Sequence, residues 1–460
     1  MSMTPRLMIL LVALVLCWPQ AARARRISRV DKVLTMSDRT KARLPADVKL
    51  KAVQKHGLKA VALRRGFLQK HNSHYRYQIP LEKKPHAIRN QKSSGRCWAF
   101  ATDRVMESKQ AKGGKAAVEL SKSFINYHSL RHTARTLLNK AAMSHGRLPR
   151  LAASLGEGAN QTRAMKILEQ YGAVPESKMP TTSDGQNSGV FLSQLQTMVA
   201  RASADFGKIK QGPEAKAQAM AKLNSYQQEV DSLLKSTVGK PPRKFKVEGK
   251  FYTPKTYARA LLDGGPSTSD YVVLTHDPSK AWNRRYKITD GAGLTYQAYN
   301  ISMPSLQQAV KRTIRGGEAV YFSANASANN PHRAGTSSAE PREAAGILSV
   351  GAFDYKSYVP YKQLSKRQMV KAGVTPANHA MAITAYDPAP GGRGKVVKWK
   401  VDNSWGDKAG DKGHFHMYDD YFKQYVSKVQ VPRSSVPATL LARIEGAPVV
   451  EPGAKKKGGK

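Results

Sequence analysis

Cys97, His379 and Asn403 stand far apart in this 460-residue chain, yet together they could make and use a sulfur nucleophile. Cys97 follows the polar run Asn90-Gln91-Lys92-Ser93-Ser94-Gly95-Arg96, and an apolar helical pattern (Trp98, Ala101, Val105, Met106) starts beside it. That puts the sulfur at a helix N-terminus, where unpaired N–H groups and the helix dipole favour thiolate over thiol. Gln91 lies six residues earlier. Folded back beside the sulfur, its amide N–H and the Cys97 backbone N–H would form an oxyanion hole. His379 heads the apolar run Ala380-Met381-Ala382-Ile383, and Asn403 follows a second one, Val396-Val397-Lys398-Trp399-Lys400-Val401. The turn residues Pro388-Ala389-Pro390-Gly391-Gly392-Arg393-Gly394 predict a hairpin that brings His379 and Asn403 onto adjacent strands. The asparagine would then orient the imidazole, and the imidazole would take the thiol proton. The chemistry is acyl transfer through a cysteine.

Singly, such residues are ordinary: a small buried hydrophobe, a structural histidine, a turn asparagine. Their combination is not. Asn90 to Trp98 resembles the papain-like cysteine peptidases, specifically the bleomycin hydrolase/aminopeptidase C branch. Glu119-Leu120-Ser121-Lys122-Ser123, Tyr171-Gly172-Ala173-Val174-Pro175, Gly317-Glu318-Ala319-Val320-Tyr321-Phe322 and the stretch from Gly406 to Phe422 resemble it in the same order. The likeness spans roughly residues 55 to 450.

The resemblance implies an α+β, papain-like two-lobe fold. A helical lobe would carry Cys97, a β-rich lobe would carry His379 and Asn403, and a large helical insertion would occupy about residues 190–345. His379 and Asn403 follow Cys97 by 282 and 306 residues, against about 130–150 in papain itself. The branch's insertion accounts for the excess. By the resemblance Cys97 is the nucleophile, His379 the base, Asn403 its orienter and Gln91 the oxyanion donor, while Trp405 shields the His–Asn bond. Asn378, beside the base, and the edge segment Glu157-Gly158-Ala159 would contact substrate, the latter through sequence-tolerant main-chain pairing. Ala159 stands where the family usually has a second glycine, so its methyl would narrow the subsite.

The implied activity is hydrolysis of peptides by an aminopeptidase-like enzyme whose own C-terminal arm fills the cleft, in a homo-hexamer. No removable inhibitory propeptide is implied. This chain ends in Ala454-Lys455-Lys456-Lys457-Gly458-Gly459-Lys460. Three lysines desolvate poorly and repel a substrate ammonium, so some endopeptidase action is expected.

Composition adds a second functional class. The net charge is +44, and the leader contributes only Arg6 and Arg23 to it. Such a chain attracts polyanions, nucleic acid or acidic polysaccharide. The alternative function is therefore a secreted polyanion-binding protein on a peptidase scaffold, although no helix-turn-helix, zinc-finger or RNA-binding motif is present. Residues 1–24 read as a secretory leader, with Arg6, an apolar core from Leu7 to Trp18 and Ala22-Arg23-Ala24. The expected location is outside the cell or in the periplasm. The leader core is too short to span a bilayer, and no later apolar run is long enough.

The remaining division is a basic segment at 25–86, loose up to about residue 50, a peptidase domain at 87–450 and a basic tail at 451–460. Helices are expected between Leu44 and Phe67, from Leu120 to Leu138, from Ala164 to Tyr171, and through Leu192 to Leu234 up to Val238-Gly239-Lys240-Pro241-Pro242. His414 and His416 would share a strand face, but no cysteine or carboxylate has matching metal-ligand spacing. No phosphate loop or dinucleotide fingerprint is found, and no cofactor or metal is expected.

Overall fold

A computed structural model describes residues 29–70, 76–82, 86–148, 155–210, 212–290, 293–326, 346–359, 364–374, 377–392 and 394–451. The leader, the polar stretch 327–345 and the lysine-rich tail lie outside the described residues.

Helix α1 (Cys97–Lys112) begins at the expected residue. Trp98, Ala101, Val105 and Met106 are buried as the apolar pattern predicts, but so are Asp103, Arg104, Glu107 and Gln110. The helix is enclosed on every side. Its buried charges are paired: Asp103 accepts from the Leu120 N–H at 2.8 Å and from Lys122 Nζ at 3.1 Å. Glu107 is gripped by Arg89 and, at 3.1 Å, by His86.

Helices α2 (Lys122–Met143), α3 (Gln161–Tyr171), α4 (Gly189–Gly207) and α5 (Ala215–Thr237) pack with α1 into the helical lobe. Ser121 caps α2 by accepting from Phe124 N–H at 3.0 Å, and Asn160 caps α3 through Arg163 N–H at 3.0 Å. Gly172 ends α3 at φ +91°, and a Cβ there would lie 2.2 Å from the Pro254 backbone. Only glycine fits that close approach.

The other lobe is built on an 11-stranded sheet. Its strands are β1 (Ile79–Pro80), β2 (Tyr271–Thr275), β3 (Arg284–Thr289), β4 (Thr295–Asn300), β5 (Val320–Ala324), β6 (Ile347–Leu348), β7 (His379–Pro388), β8 (Val396–Asp402), β9 (His414–Tyr418), β10 (Val426–Pro432) and β11 (Val449–Val450). Their order is β11-β3-β4-β2-β10-β5-β7-β8-β9-β6, with β1 on β7. The hairpin predicted between β7 and β8 is present, with Ala389 N–H bonded to Lys395 O at 3.0 Å.

Strand β7 reads as one apolar run because both its faces are covered. Ala380 and Ala382 belong to the core shared with α1, while Met381 and Ile383 belong to the core of the sheet lobe. Alternation sends them to opposite faces. Alanines on the helix side let α1 lie close against the strand. The β7 backbone thereby reaches the Cys97 sulfur.

Two expectations need correction. The segment 190–345 is not helical throughout: beyond Thr237 the helices Pro254–Leu261 and Met303–Arg315 alternate with the strand pair Phe245–Val247 and Lys250–Tyr252 and with β2 to β5. Tyr271-Val272-Val273-Leu274-Thr275 is a β-branched and aromatic run that pairs on both sides. The basic lead-in is also not loose: Arg29–Lys32 and Asp38–Ala42 are short helices, and Val33 buries fully against Ala52 and Val61. The expected helices between Leu44 and Phe67 appear as Ala46–His56, Leu58–Ala62 and the start of Arg65–Lys70.

Candidate active site

Cys97, His379, Gln91 and Trp405 line one cleft of about 570 Å³ between the lobes. His379 Nε2 lies 2.7 Å from Asn403 Oδ1. The same oxygen accepts from Ser404 N–H at 2.8 Å, which fixes it as the oxygen of the amide. Since that oxygen can only accept, Nε2 carries the imidazole proton, and Nδ1 is left as the basic nitrogen. Trp405 stacks on the imidazole at 4.7 Å between centroids. The His–Asn pair is buried, and Asn403 Nδ2 has no hydrogen-bond partner among the described residues.

The sulfur's environment differs from the expectation. Burial pushes the Cys97 thiol up from its ordinary value, and the nearby charge of Glu157 adds to this. Hydrogen bonds from the backbone at Ala380, Trp98 and Cys97 favour the thiolate but do not outweigh burial. A helix N-terminus alone therefore does not ionise this cysteine. A proton acceptor is needed, and β7 supplies one in the residue next to Ala380.

Gln91 is buried and clamped at both ends of its amide. Nε2 donates to Ser94 O at 2.6 Å, and Oε1 accepts from Ser404 Oγ at 2.5 Å. Its backbone N–H also bonds Ser404 O at 2.8 Å. Ser404, the residue after Asn403, thus ties the loop before Cys97 directly to the residue that orients the imidazole. It lies within the Asn403-Ser404-Trp405 run, where its clamping role carried no separate signal.

Of the expected substrate-contact residues, Gly158 and Ala159 line the cleft, and so does Asn378. Asn378 Oδ1 is engaged by Ala326 N–H at 2.9 Å. Glu157 faces away from the cleft and is 4% exposed. Its carboxylate accepts from Gly95 N–H and Ser188 Oγ, each at 2.6 Å, and from Asn126 Nδ2 at 2.8 Å. Its carbonyl accepts from Trp98 Nε1 at 2.6 Å. Its side chain is a brace for the nucleophile loop, not a substrate contact. Gly95 lies close against this side chain: a Cβ there would sit 3.0 Å from Glu157 Cβ, so a larger residue would crowd the brace.

A second tie joins the lobes behind the cleft. Arg104 Nε on α1 donates to Asp402 Oδ2 at 2.9 Å, both side chains buried. Asp402 Oδ1 takes His414 Nδ1 at 2.8 Å and Thr384 Oγ1 at 3.0 Å. Burial opposes ionisation of Asp402, but these partners hold its carboxyl well below the usual carboxylate range. His416 is bonded separately, to Tyr77 at 2.8 Å and Asp411 at 3.1 Å. Among the described residues no group of three or more His, Cys, Asp or Glu could hold a metal.

The sulfur of Cys97, the His379 imidazole and Gln91 thus share one cleft, with Asn403 bonded to the imidazole behind it. The profile of the Peptidase C1-like family matches residues 28–453. This chain belongs to the Peptidase C1-like family. As a family member with this site, it is a cysteine-type peptidase.

Curated relatives fit that placement. The chain is 28% identical over 367 residues to aminopeptidase E of Lactobacillus helveticus, covering 75% of this chain and 80% of that protein. It is 26% identical over 425 residues to bleomycin hydrolase of Mus musculus, covering 86% and 90%. The crystal structure of PepW from Lactobacillus rhamnosis superposes with a TM-score of 0.74 at 23% identity, over 93% of this chain and 98% of that one. That likeness extends the papain-like fold to nearly the whole chain, the insertion included.

Proposed function

We propose that this Peptidase C1-like protein is an aminopeptidase that hydrolyses peptides through an acyl-enzyme on Cys97. The observation that carries the reading is the 2.7 Å His379–Asn403 bond, which leaves Nδ1 as base in the cleft that holds the sulfur.

His379 Nδ1 takes the thiol proton, giving a thiolate–imidazolium pair that offsets the burial opposing ionisation. The thiolate attacks the peptide carbonyl; a C–S bond forms and the oxygen becomes an oxyanion. Backbone N–H of Cys97 and the second amide hydrogen of Gln91 receive it. The imidazolium protonates the leaving amine as the C–N bond breaks. His379 then deprotonates a water that attacks the thioester. The C–S bond breaks, and the thiol and neutral imidazole are restored. The backbone of Gly158 and Ala159 offers the edge for main-chain pairing with substrate.

Exopeptidase action is favoured by the relatives named aminopeptidase. Strand β11 runs parallel to β3, with Val450 opposite Tyr286 and Glu451 paired to Lys287 at 3.1 Å. Further along β3, Ile288 and Thr289 line the cleft. Endopeptidase action draws no support from the relatives.

The test is hydrolysis of free-amine and N-acetylated forms of one peptide by the wild type and by Cys97→Ala. Turnover of the free-amine form alone, absent in Cys97→Ala, is expected. Turnover by a folded Cys97→Ala protein would sink the mechanism, and equal cleavage of both peptides would sink the exopeptidase assignment.

A second reading, polyanion binding, is favoured by one cavity of about 750 Å³ on the sheet lobe. Lys311, Lys366, Arg367, Lys395 and Lys423 line it with a single carboxylate, Asp419. A hexamer is proposed on the resemblance and on exposed Val190, Met220 and Phe251 in the inserted segment. Sizing of the purified protein tests it. Export is proposed from residues 1–24 alone; no described helix is long and apolar enough to cross a membrane.

A further inference from the structure

We propose that Lys428 makes the cleft selective for peptides carrying an acidic side chain near the cut bond, an inference that rests on the peptidase reading. The sheet register carries it. Lys428 and Gln430 are two apart on β10 and share one face. Lys428 is opposite Ser323 on β5, and Gln430 is opposite Tyr321 on β5 and Val273 on β2. All five of these residues line the cleft with Cys97 and His379. This sheet face is the cleft floor.

At its inner end Gln430 Oε1 accepts from Thr162 Oγ1 of the helical lobe at 3.3 Å, which joins the two walls. Lys428 lies one step along the same face. Its ammonium donates to Tyr296 Oη at 2.9 Å and sits 5.5 Å from that ring's centroid. Among the described residues no carboxylate forms an ion pair with it. The carboxylate of the cleft, Asp290, is already held by Arg163 at 2.7 Å.

The floor therefore presents a half-buried cation whose protein partners are a phenol oxygen and a ring face. An Asp or Glu side chain from the substrate would give it a charge-assisted hydrogen bond, roughly twice as strong as a neutral one. A Lys or Arg side chain there would meet like charge. The excess of 76 Lys and Arg over 32 Asp and Glu steers acidic peptides toward the same cleft.

The experiment uses free-amine peptides of one length that differ only in Glu, Gln or Lys at each position flanking the cut bond. Wild type is expected to favour Glu over Gln by about tenfold in kcat/KM, mostly through KM, with Lys poorest. Lys428→Gln should erase the Glu/Gln difference while keeping turnover of the Gln peptide, and Lys428→Glu should invert the order. An unchanged Glu/Gln ratio in Lys428→Gln, or an equal fall for all three peptides, overturns the proposal. So does a change confined to the ratio of free-amine to N-acetylated turnover, which would mean that Lys428 serves another carboxylate.

The same peptides titrated into Cys97→Ala protein read binding without turnover. Acidic preference there, with no hydrolysis by wild type, refutes the peptidase reading and upholds the subsite. Equal binding of Glu and Gln peptides refutes the subsite whatever the enzyme does.

Discussion

Glu157→Gln removes one charge from the brace of the nucleophile loop and nearly nothing from its shape. The carboxylate takes three hydrogen bonds at 2.6–2.8 Å, from Gly95, Ser188 and Asn126, in a site 4% exposed. Asn126 Oδ1 has no hydrogen-bond partner among the described residues, so its amide can turn over and accept from the new amide. The three bonds then survive as neutral ones. A bond to a charged group contributes about 1.5–3 kcal/mol and a neutral one about 0.5–1.5. Three bonds each weakened by about 1 kcal/mol give a loss of about 3 kcal/mol, read from urea unfolding.

The same substitution removes the charge that, with burial, pushes the Cys97 thiol up. Iodoacetamide alkylation of Cys97 should therefore shift its pH profile to lower pH. Ser188→Ala is the control: it removes one bond, about 1 kcal/mol, and leaves the alkylation profile in place. A Glu157→Gln protein as stable as wild type, or a profile unmoved or displaced to higher pH, would refute the brace and its electrostatic reach.

Three further outcomes follow from the site. Asn403→Ala should slow kcat by less than the roughly 10²–10⁴-fold expected for loss of the base itself, because Asn403 only orients His379. Equal, complete loss in folded Asn403→Ala and Cys97→Ala proteins would contradict that role. Arg104→Met leaves buried Asp402 without its cation and should cost about 3–5 kcal/mol at pH 7. Asp402 is held below the usual carboxylate range when folded, so its contribution is present above about pH 4 and is lost as pH falls toward the folded value. The stability gap between Arg104→Met and wild type should narrow on acidification, and a gap that widens would reject the pairing. Retention on heparin should fall steeply between 50 and 200 mM salt, roughly the range over which counterion release acts. Failure to bind at low salt would remove the polyanion reading.

The chemical groups of the site were legible in the sequence because the constraints on them are local. The loop before Cys97 and the glycine-rich turn between β7 and β8 each act within a few residues, so residue type and spacing carry them. The papain-like fold was legible for a related reason: its motifs mark helix starts and strand ends in order along the chain.

What only the tertiary structure decided depends on contacts between distant residues. The sequence placed the sulfur at a helix N-terminus, but its net shift comes from burial beneath β7, which the helix cannot report. Glu157 looked like a substrate edge, yet its side chain turns inward because Gly95, Ser188 and Asn126 converge on it from three other segments. Lys428 had no local signal, since a lysine on a strand becomes a cleft residue only through the register that sets β10 between β5 and β2. The strands after Thr237 were read as helical insertion because a short apolar run does not show whether its neighbours are helices or strands. Spacing along a chain fixes what lies within a turn or two; burial, register and charge environment are set by what packs from far away.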